Sequence, residues 1–186
     1  MIATRTRKER SLLRRFAADQ SGLALIEFAY VFPILLMLYL GGAQLCDTIA
    51  AYRKMTITTR ALADIASQYS SVSDADLDSV LNASSKIMSP YPTTNAAMTV
   101  FQVSMDGTGT PKVTWSRGLN ATPPAVDSTY TLLPATIRVP NTSVVVSTVN
   151  YTFVPRFGSY IIGSIPLADK IYMSPRTVVN ITKKAT

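Results

Sequence analysis

The chain has 186 residues, of which 47% are hydrophobic, with 18 basic and 11 acidic side chains and no histidine. This composition is not that of a disordered chain, so apolar side chains must be buried in a protein core or in lipid. The absence of histidine excludes Ser-His and Cys-His catalytic pairs and the HExxH zinc site, and the sequence contains no phosphate-binding loop.

A carboxylate or lysine enzyme is compatible with this composition, but the sequence offers no cluster for one. Asp127, Asp169 and Lys170 are isolated, and each is most simply a solvated surface residue. We therefore expect no enzymatic activity, no cofactor and no metal site.

The net charge of +7 is concentrated near the N-terminus. Residues 1–22 carry six basic and two acidic side chains, whereas the rest of the chain carries twelve basic and nine acidic ones. Nucleic-acid surfaces typically interleave aromatic and basic residues, and here Tyr and Phe lie mainly in apolar stretches. We predict no nucleic-acid partner.

An apolar segment, residues 23–46, follows the basic N-terminus and reads LALIEFAYVFPILLMLYLGGAQLC. As a helix it would span roughly 36 Å, enough to cross a hydrocarbon core of about 30 Å. The basic residues precede it and the first charge after it is Asp47, so the positive-inside rule predicts a cytoplasmic N-terminus and an extracytoplasmic C-terminal portion. The segment is longer than the apolar region of a secretory signal, which indicates that it is retained.

A glycine closes the basic leader, and residues 21–28 read SGLALIEF. This pattern resembles the type IV prepilin motif. The resemblance implies that a prepilin peptidase cuts between Gly22 and Leu23 and leaves the apolar helix on the mature protein. It also implies that Glu27, followed by Phe28, pairs with the terminal ammonium of a neighbouring subunit.

The position of Glu27 has a physical cost that such pairing would relieve. A carboxylate at mid-bilayer costs about 2.5–3.5 kcal/mol on insertion scales, and less near the interface. Cleavage would create an ammonium at Leu23, four residues or roughly 6 Å away along a helix. The alternative for Glu27 is a residue at the membrane boundary with no role.

Residues 22–33, GLALIEFAYVFP, are similar to the opening of TadE-like and TadG-like proteins, the minor pilins or pseudopilins of the Tad (Flp) pilus. A weaker similarity is the Tyr-x-x-Pro-Arg pattern of residues 172–176. The resemblance implies a bacterial inner-membrane location, partnership with other pilin subunits and the Tad inner-membrane assembly machinery, and a role in pilus biogenesis and surface adhesion. Pro33 is expected to kink the helix. The alternative is an uncut, signal-anchored domain that binds a ligand or scaffolds a secretion apparatus.

Beyond the apolar segment, we expect the helix to continue as an amphipathic stretch over residues 47–70. Ser73 is predicted to cap a further helix, with Asp74 and Asp76 in its first turn, that ends before Pro90. Alternating Val, Thr and Tyr then predict an antiparallel sheet of four or five strands. The strands are expected at 97–105, 111–117, 135–139, 144–154 and 171–181.

The predicted fold is α+β and pilin-like, with a long N-terminal transmembrane and amphipathic helix and a small C-terminal antiparallel sheet. The expected organisation is a removed leader at 1–22, a transmembrane part at 23–46, its amphipathic continuation at 47–70, and an extracytoplasmic head domain at 71–186.

Overall fold

A computed structural model describes residues 21–157 and 159–184. The chain divides into two compact units, Met1–Leu45 and Cys46–Thr186. Of the predicted leader, all but the last two residues lie outside the described part of the chain.

The described part of the first unit is the beginning of helix α1, Ser21–Ser67. The large apolar side chains from Leu23 to Tyr39 are between 42% and 75% exposed. Among the described residues, one helix is long and apolar enough to cross a membrane, and it is this one. The predicted apolar helix is thus confirmed as a candidate membrane anchor.

Within the second unit, α1 changes from apolar on all sides to amphipathic. Its buried side chains recur at three- and four-residue intervals, which places them on one helical face. The hydroxyl of Ser147, on the sheet, donates to the backbone oxygen of Thr59 at 2.7 Å. The face therefore packs against the sheet and includes Ala51, Met55, Thr58, Thr59, Leu62 and Ala66.

A short strand β1, Ser71–Val72, leads into helix α2, Asp74–Ser85. Ser73 caps this helix as predicted: its hydroxyl accepts from the Asp76 backbone N–H at 3.2 Å, and the Asp76 carboxylate accepts from the Ser73 backbone N–H at 3.0 Å. The helix gives way to a single 3₁₀ turn, Lys86–Met88, just before Pro90. The α2 residues Leu77, Val80 and Leu81 are buried.

Four long strands form the main sheet, and every neighbouring pair is antiparallel. These strands are β2 Ala96–Met105, β3 Pro111–Leu119, β4 Ser143–Phe153 and β5 Ile165–Met173, and a last short strand is β6 Thr182–Lys183. The order in the main sheet is β3-β2-β4-β5, and β6 pairs in parallel with β1. A four-residue helix, α3, Ser159–Ile162, lies between β4 and β5. This arrangement confirms the α+β, pilin-like layout.

Two of the predicted strands are wrong. Residues 135–139 form a 3₁₀ turn, Ala135–Ile137, and the Arg138 guanidinium donates to backbone oxygens of the same segment, which folds it onto itself. The strand predicted at 171–181 ends at Met173 and begins at Ile165 instead. Pro175 lacks the N–H that a continuing ladder would need.

Alternation along the strands gives the sheet two apolar faces. One face packs with α1 and α2 around Trp115, Val149 and Tyr151. The other carries Phe101 and Val146 and is covered by buried side chains of the segment after β3, namely Tyr130 and Leu133. The loop between β3 and β4, which is rich in Pro and Thr, therefore contributes to the core.

Gln102, a buried residue of β2, forms hydrogen bonds to the segment that directly precedes β6. Its side-chain oxygen accepts from the Ile181 backbone N–H at 3.0 Å, and its amide nitrogen donates to Thr114 at 2.9 Å and to the Asn180 side chain. Trp115 donates to the Ile181 backbone oxygen at 3.1 Å. The C-terminal segment is thus held by hydrogen bonds inside the core, where each lost partner is costly.

Replacing Gln102 with Met should destabilise the second unit by about 1–3 kcal/mol, because the Ile181 N–H would be buried without an acceptor. Urea unfolding followed by the fluorescence of Trp115, the single tryptophan, measures this. Lys112→Met, an exposed change on the neighbouring strand, is the control and should stay within about 0.5 kcal/mol. Equal stability of Gln102→Met and wild type would contradict this role of Gln102.

The Asp76 cap should make stability depend on acid pH. Hydrogen bonds from the Ser73 backbone and hydroxyl hold the pKa of Asp76 below its ordinary value. A carboxylate with a lowered folded pKa stabilises the fold above the unfolded pKa, about 3.9, and that contribution disappears as pH falls through the folded pKa. Asp76→Asn should lower the melting temperature at neutral pH. On acidification, the melting temperature of this variant should fall by less than that of the wild type. Asp127→Asn, at an exposed loop position, should show the wild-type profile; the same profile in Asp76→Asn would refute the cap's role.

Candidate functional site

The residues singled out for processing and assembly all lie near the start of helix α1. Gly22, Leu23, Glu27 and Phe28 occupy its first two turns, and Pro33 lies one turn further on. All five are exposed. The helix therefore presents the whole motif at its surface.

Glu27 and Leu23 are four residues apart on one helix, so they share a face. Within residues 21–157 and 159–184, no ion pair involves Glu27. Its neighbours in sequence, Ile26 and Phe28, are themselves more than half exposed. The helix thus carries one carboxylate on an exposed apolar surface, available to a cation from outside the described chain.

Phe28 contacts Phe32, one helical turn later. Their ring centroids are 5.3 Å apart with the planes tilted by 32°. An aromatic pair at this spacing stabilises its own helix. Phe28 therefore has a structural contact beside the motif role that the sequence suggested.

Gly22 has open space around it, since a Cβ built at this position would have no heavy atom within 4 Å. The same holds for Gly41. Packing within the described chain therefore does not require glycine at position 22. A requirement for glycine there would have to come from an external partner such as a peptidase.

Pro33 lies inside the helix, which continues past it to Ser67. Proline removes the N–H that would otherwise donate to the carbonyl of Ala29. The kink expected at this residue stays a prediction.

The Tyr-x-x-Pro-Arg pattern at 172–176 contacts the end of α1. The Arg176 guanidinium pairs with Asp64, and the Arg176 backbone N–H donates to the Ser67 backbone oxygen at 2.9 Å. The Ser67 hydroxyl lies 3.5 Å from the sulfur of Met173. The pattern therefore ties the end of β5 to the last turn of the helix.

A cluster around Asp47 was not anticipated from the sequence. The Tyr91 hydroxyl donates to the backbone oxygen of Asp47 at 3.2 Å and also lies 3.4 Å from its carboxylate, while Arg156 Nε is 4.0 Å from the other carboxylate oxygen. Burial, and then the charge of Asp47, raise the pKa of Tyr91. The signal in the sequence was that Asp47 is the first charge after the apolar segment, but its partners come from distant parts of the chain.

No metal centre is evident in the part of the chain that the structure describes, where no group of three or more His, Cys, Asp or Glu side chains is placed to hold an ion. Cys46 is exposed and not disulfide-bonded.

Comparison with known families places the exposed motif in context. Residues 22–64 match the family model of the TadE-like proteins. The matched residues lie within helix α1. The match contains all five motif residues and confirms the resemblance to TadE-like proteins seen in this part of the sequence. No curated protein and no solved structure matches the chain significantly.

The TadE-like segment ends at Asp64, and its ion pair with Arg176 should contribute modestly. Both side chains are more than a third exposed, so a double-mutant cycle with Asp64→Asn and Arg176→Gln should give a coupling of about 0.2–1 kcal/mol. Chemical denaturation in low salt measures it, and the coupling should shrink in high salt. A coupling of zero under both conditions would show that the ion pair does not help to hold the two chain segments together.

Proposed function

We propose that this chain is a minor pilin, or pseudopilin, of a Tad pilus, made with a basic leader that a prepilin peptidase removes after Gly22. The main support is the TadE-like match over residues 22–64, which begins at the glycine and includes the exposed carboxylate of Glu27. The mature chain would begin at Leu23 and keep its apolar helix as membrane anchor and assembly element.

In this proposal Glu27 guides assembly. While the subunit is in the bilayer, the carboxylate lies in apolar surroundings and is destabilising unless it is paired. The ammonium of Leu23 on a neighbouring subunit would supply the partner, and the pairing would be strongest where water is excluded. The charge thus favours docking between helices in register over non-specific contact of apolar surfaces.

The partners follow from this assignment: the membrane, the prepilin peptidase, other pilin subunits and the Tad assembly machinery of the inner membrane. The N-terminus would be cytoplasmic and the second unit extracytoplasmic, with entry into the surface pilus and a contribution to adhesion. We assign the second unit a structural role and no enzymatic one. Its described residues are joined by core packing and structural hydrogen bonds.

Substitution of Gly22 tests the processing step. Gly22→Val should block removal of the leader, because a membrane peptidase must place the residue before the scissile bond in a narrow site, and the protein should migrate as precursor on immunoblots. Gly41→Val is the matched control, since that glycine also lies in α1 with open space where a Cβ would project, and it should be processed normally. Normal processing of Gly22→Val would favour the uncut, signal-anchored alternative.

Substitution of Glu27 separates assembly from cutting. Glu27→Gln keeps the size of the side chain and removes its charge, so the leader should still be removed while the amount of subunit in sheared surface filaments falls severalfold. Leu25→Gln places a polar amide on the same exposed helix without removing the carboxylate and should assemble better. If Glu27→Gln assembled like wild type, charge pairing at this residue would be excluded.

A further inference from the structure

The connection between β4 and β5 carries an exposed apolar surface that no part of the proposed function uses. Tyr160 is fully exposed at 102%, Phe157 is 58% exposed and Val154 is 54% exposed. Arg156, between them, is also exposed. We call Val154, Arg156, Phe157 and Tyr160 the β4–β5 surface.

Contacts within the second unit hold this surface close to Asp47. Arg156 Nε lies 4.0 Å from the Asp47 carboxylate. Tyr91 donates to Asp47, and its ring packs edge-on against Phe153, the last residue of β4, with centroids 6.3 Å apart. The base of the connection is thus fixed beside the residue that directly follows the apolar segment 23–46.

This placement has a consequence for a membrane-anchored chain. Asp47 is the first charged residue after the apolar segment, so it belongs at the boundary where the chain leaves the hydrocarbon core. In a chain anchored by that segment, a group in contact with Asp47 would be near the depth of this boundary. Arg156 is such a group, and Phe157 directly follows it in the chain.

The chemistry of the β4–β5 surface fits that position. Tyr and Trp are enriched at membrane interfaces, and exposed aromatic residues with a neighbouring cation are typical of surfaces that lie on lipid. An arginine can bury its stem against apolar groups while its guanidinium binds a phosphate. Arg53, exposed on α1 less than two turns after Asp47, adds a second cation on the same side of the boundary.

We propose that the β4–β5 surface rests on the bilayer, with Phe157 and Tyr160 in the interfacial region and Arg156 at an anionic lipid phosphate. It is a second membrane contact that fixes the orientation of the head domain before assembly. The inference rests on the membrane anchoring in the proposed function, and it does not depend on leader cleavage. A lipid surface is favoured over a second copy because the chain itself brings the loop to the bilayer.

Fluorescence quenching in vesicles tests the contact. Full-length protein with Cys46→Ser and Ser159→Cys, labelled with a polarity-sensitive dye, is reconstituted in vesicles of phosphatidylethanolamine and phosphatidylglycerol that contain a lipid-borne quencher. The label lies between Phe157 and Tyr160 and leaves both aromatic side chains in place. It should be quenched by the lipid and protected from aqueous iodide.

The double variant Phe157→Ser with Tyr160→Ser should reduce lipid quenching of this label severalfold and restore iodide access. Leu132→Ser with Val139→Ser, a matched loss of two exposed apolar side chains from another loop, should leave the quenching unchanged. Unaltered Trp115 fluorescence shows that each variant is folded.

A Leu38→Cys label separates failure of this inference from failure of the anchor. If lipid quenches the Leu38 label but not the Ser159 label, the helix is in the membrane and the proposed contact is refuted. If neither is quenched, the membrane anchoring fails and the inference fails with it. The Ser159 label could instead crosslink to a second copy, with the uncrosslinked fraction open to iodide. In that case the surface is a protein contact and the lipid assignment is wrong.

Discussion

The exposed apolar part of helix α1 is the constraint on which the rest of this molecule depends. Side chains from Leu23 to Tyr39 are largely uncovered, and leaving so much apolar surface in water costs roughly 25 cal/mol for each Å². Lipid can cover it in one state and the helices of neighbouring subunits can cover it in another. In the proposed function, a subunit that moves from membrane to filament would exchange one apolar cover for the other, so the exchange itself would require little free energy. A polar group would then be needed to give the assembled state its register, and Glu27 is the residue that we propose for that role.

In the second unit the environment of α1 is different, because here one face of the helix packs in a protein core. Its apolar residues narrow to one stripe, Thr59 receives a hydrogen bond from Ser147 on the sheet, and Asp64 pairs with Arg176. The sheet in turn needs its C-terminal segment, which Gln102 and Trp115 hold through Ile181. The amphipathic half of α1 is therefore fixed to strand β4 and to the segment that follows β5.

Local rules predicted much of this fold. The apolar length of 23–46, the helical spacing of Leu62 and Ala66, and the Ser73 cap are short-range patterns, and strands β2, β3 and β4 followed from the alternation of apolar and polar residues. The motif at Gly22 and Glu27 was likewise legible as a resemblance. These features depend on residues within one or two turns or along one strand.

What failed depends on distant partners. Residues 135–139 have the composition of a strand, but they form a 3₁₀ turn, and the Arg138 guanidinium donates to the backbone oxygens of Thr131 and Leu133 in the preceding segment. The bounds predicted for the last long strand were wrong because β5 includes Pro166 and Asp169. These residue types are unfavourable in strands, and the pairing of β5 with β4 accommodates them. The contact of Arg156 with Asp47 joins residues far apart in the chain, and no local spacing predicts it.

The measurement that tests the central claim most directly is the N-terminal sequence and intact mass of the unaltered protein isolated from membranes of the organism that makes it. A chain that begins at Leu23, with the mass of residues 23–186 and with or without an added methyl group, is expected for a processed pilin subunit. A chain that begins at Met1 with its full mass would contradict that function and leave an uncut, membrane-anchored domain.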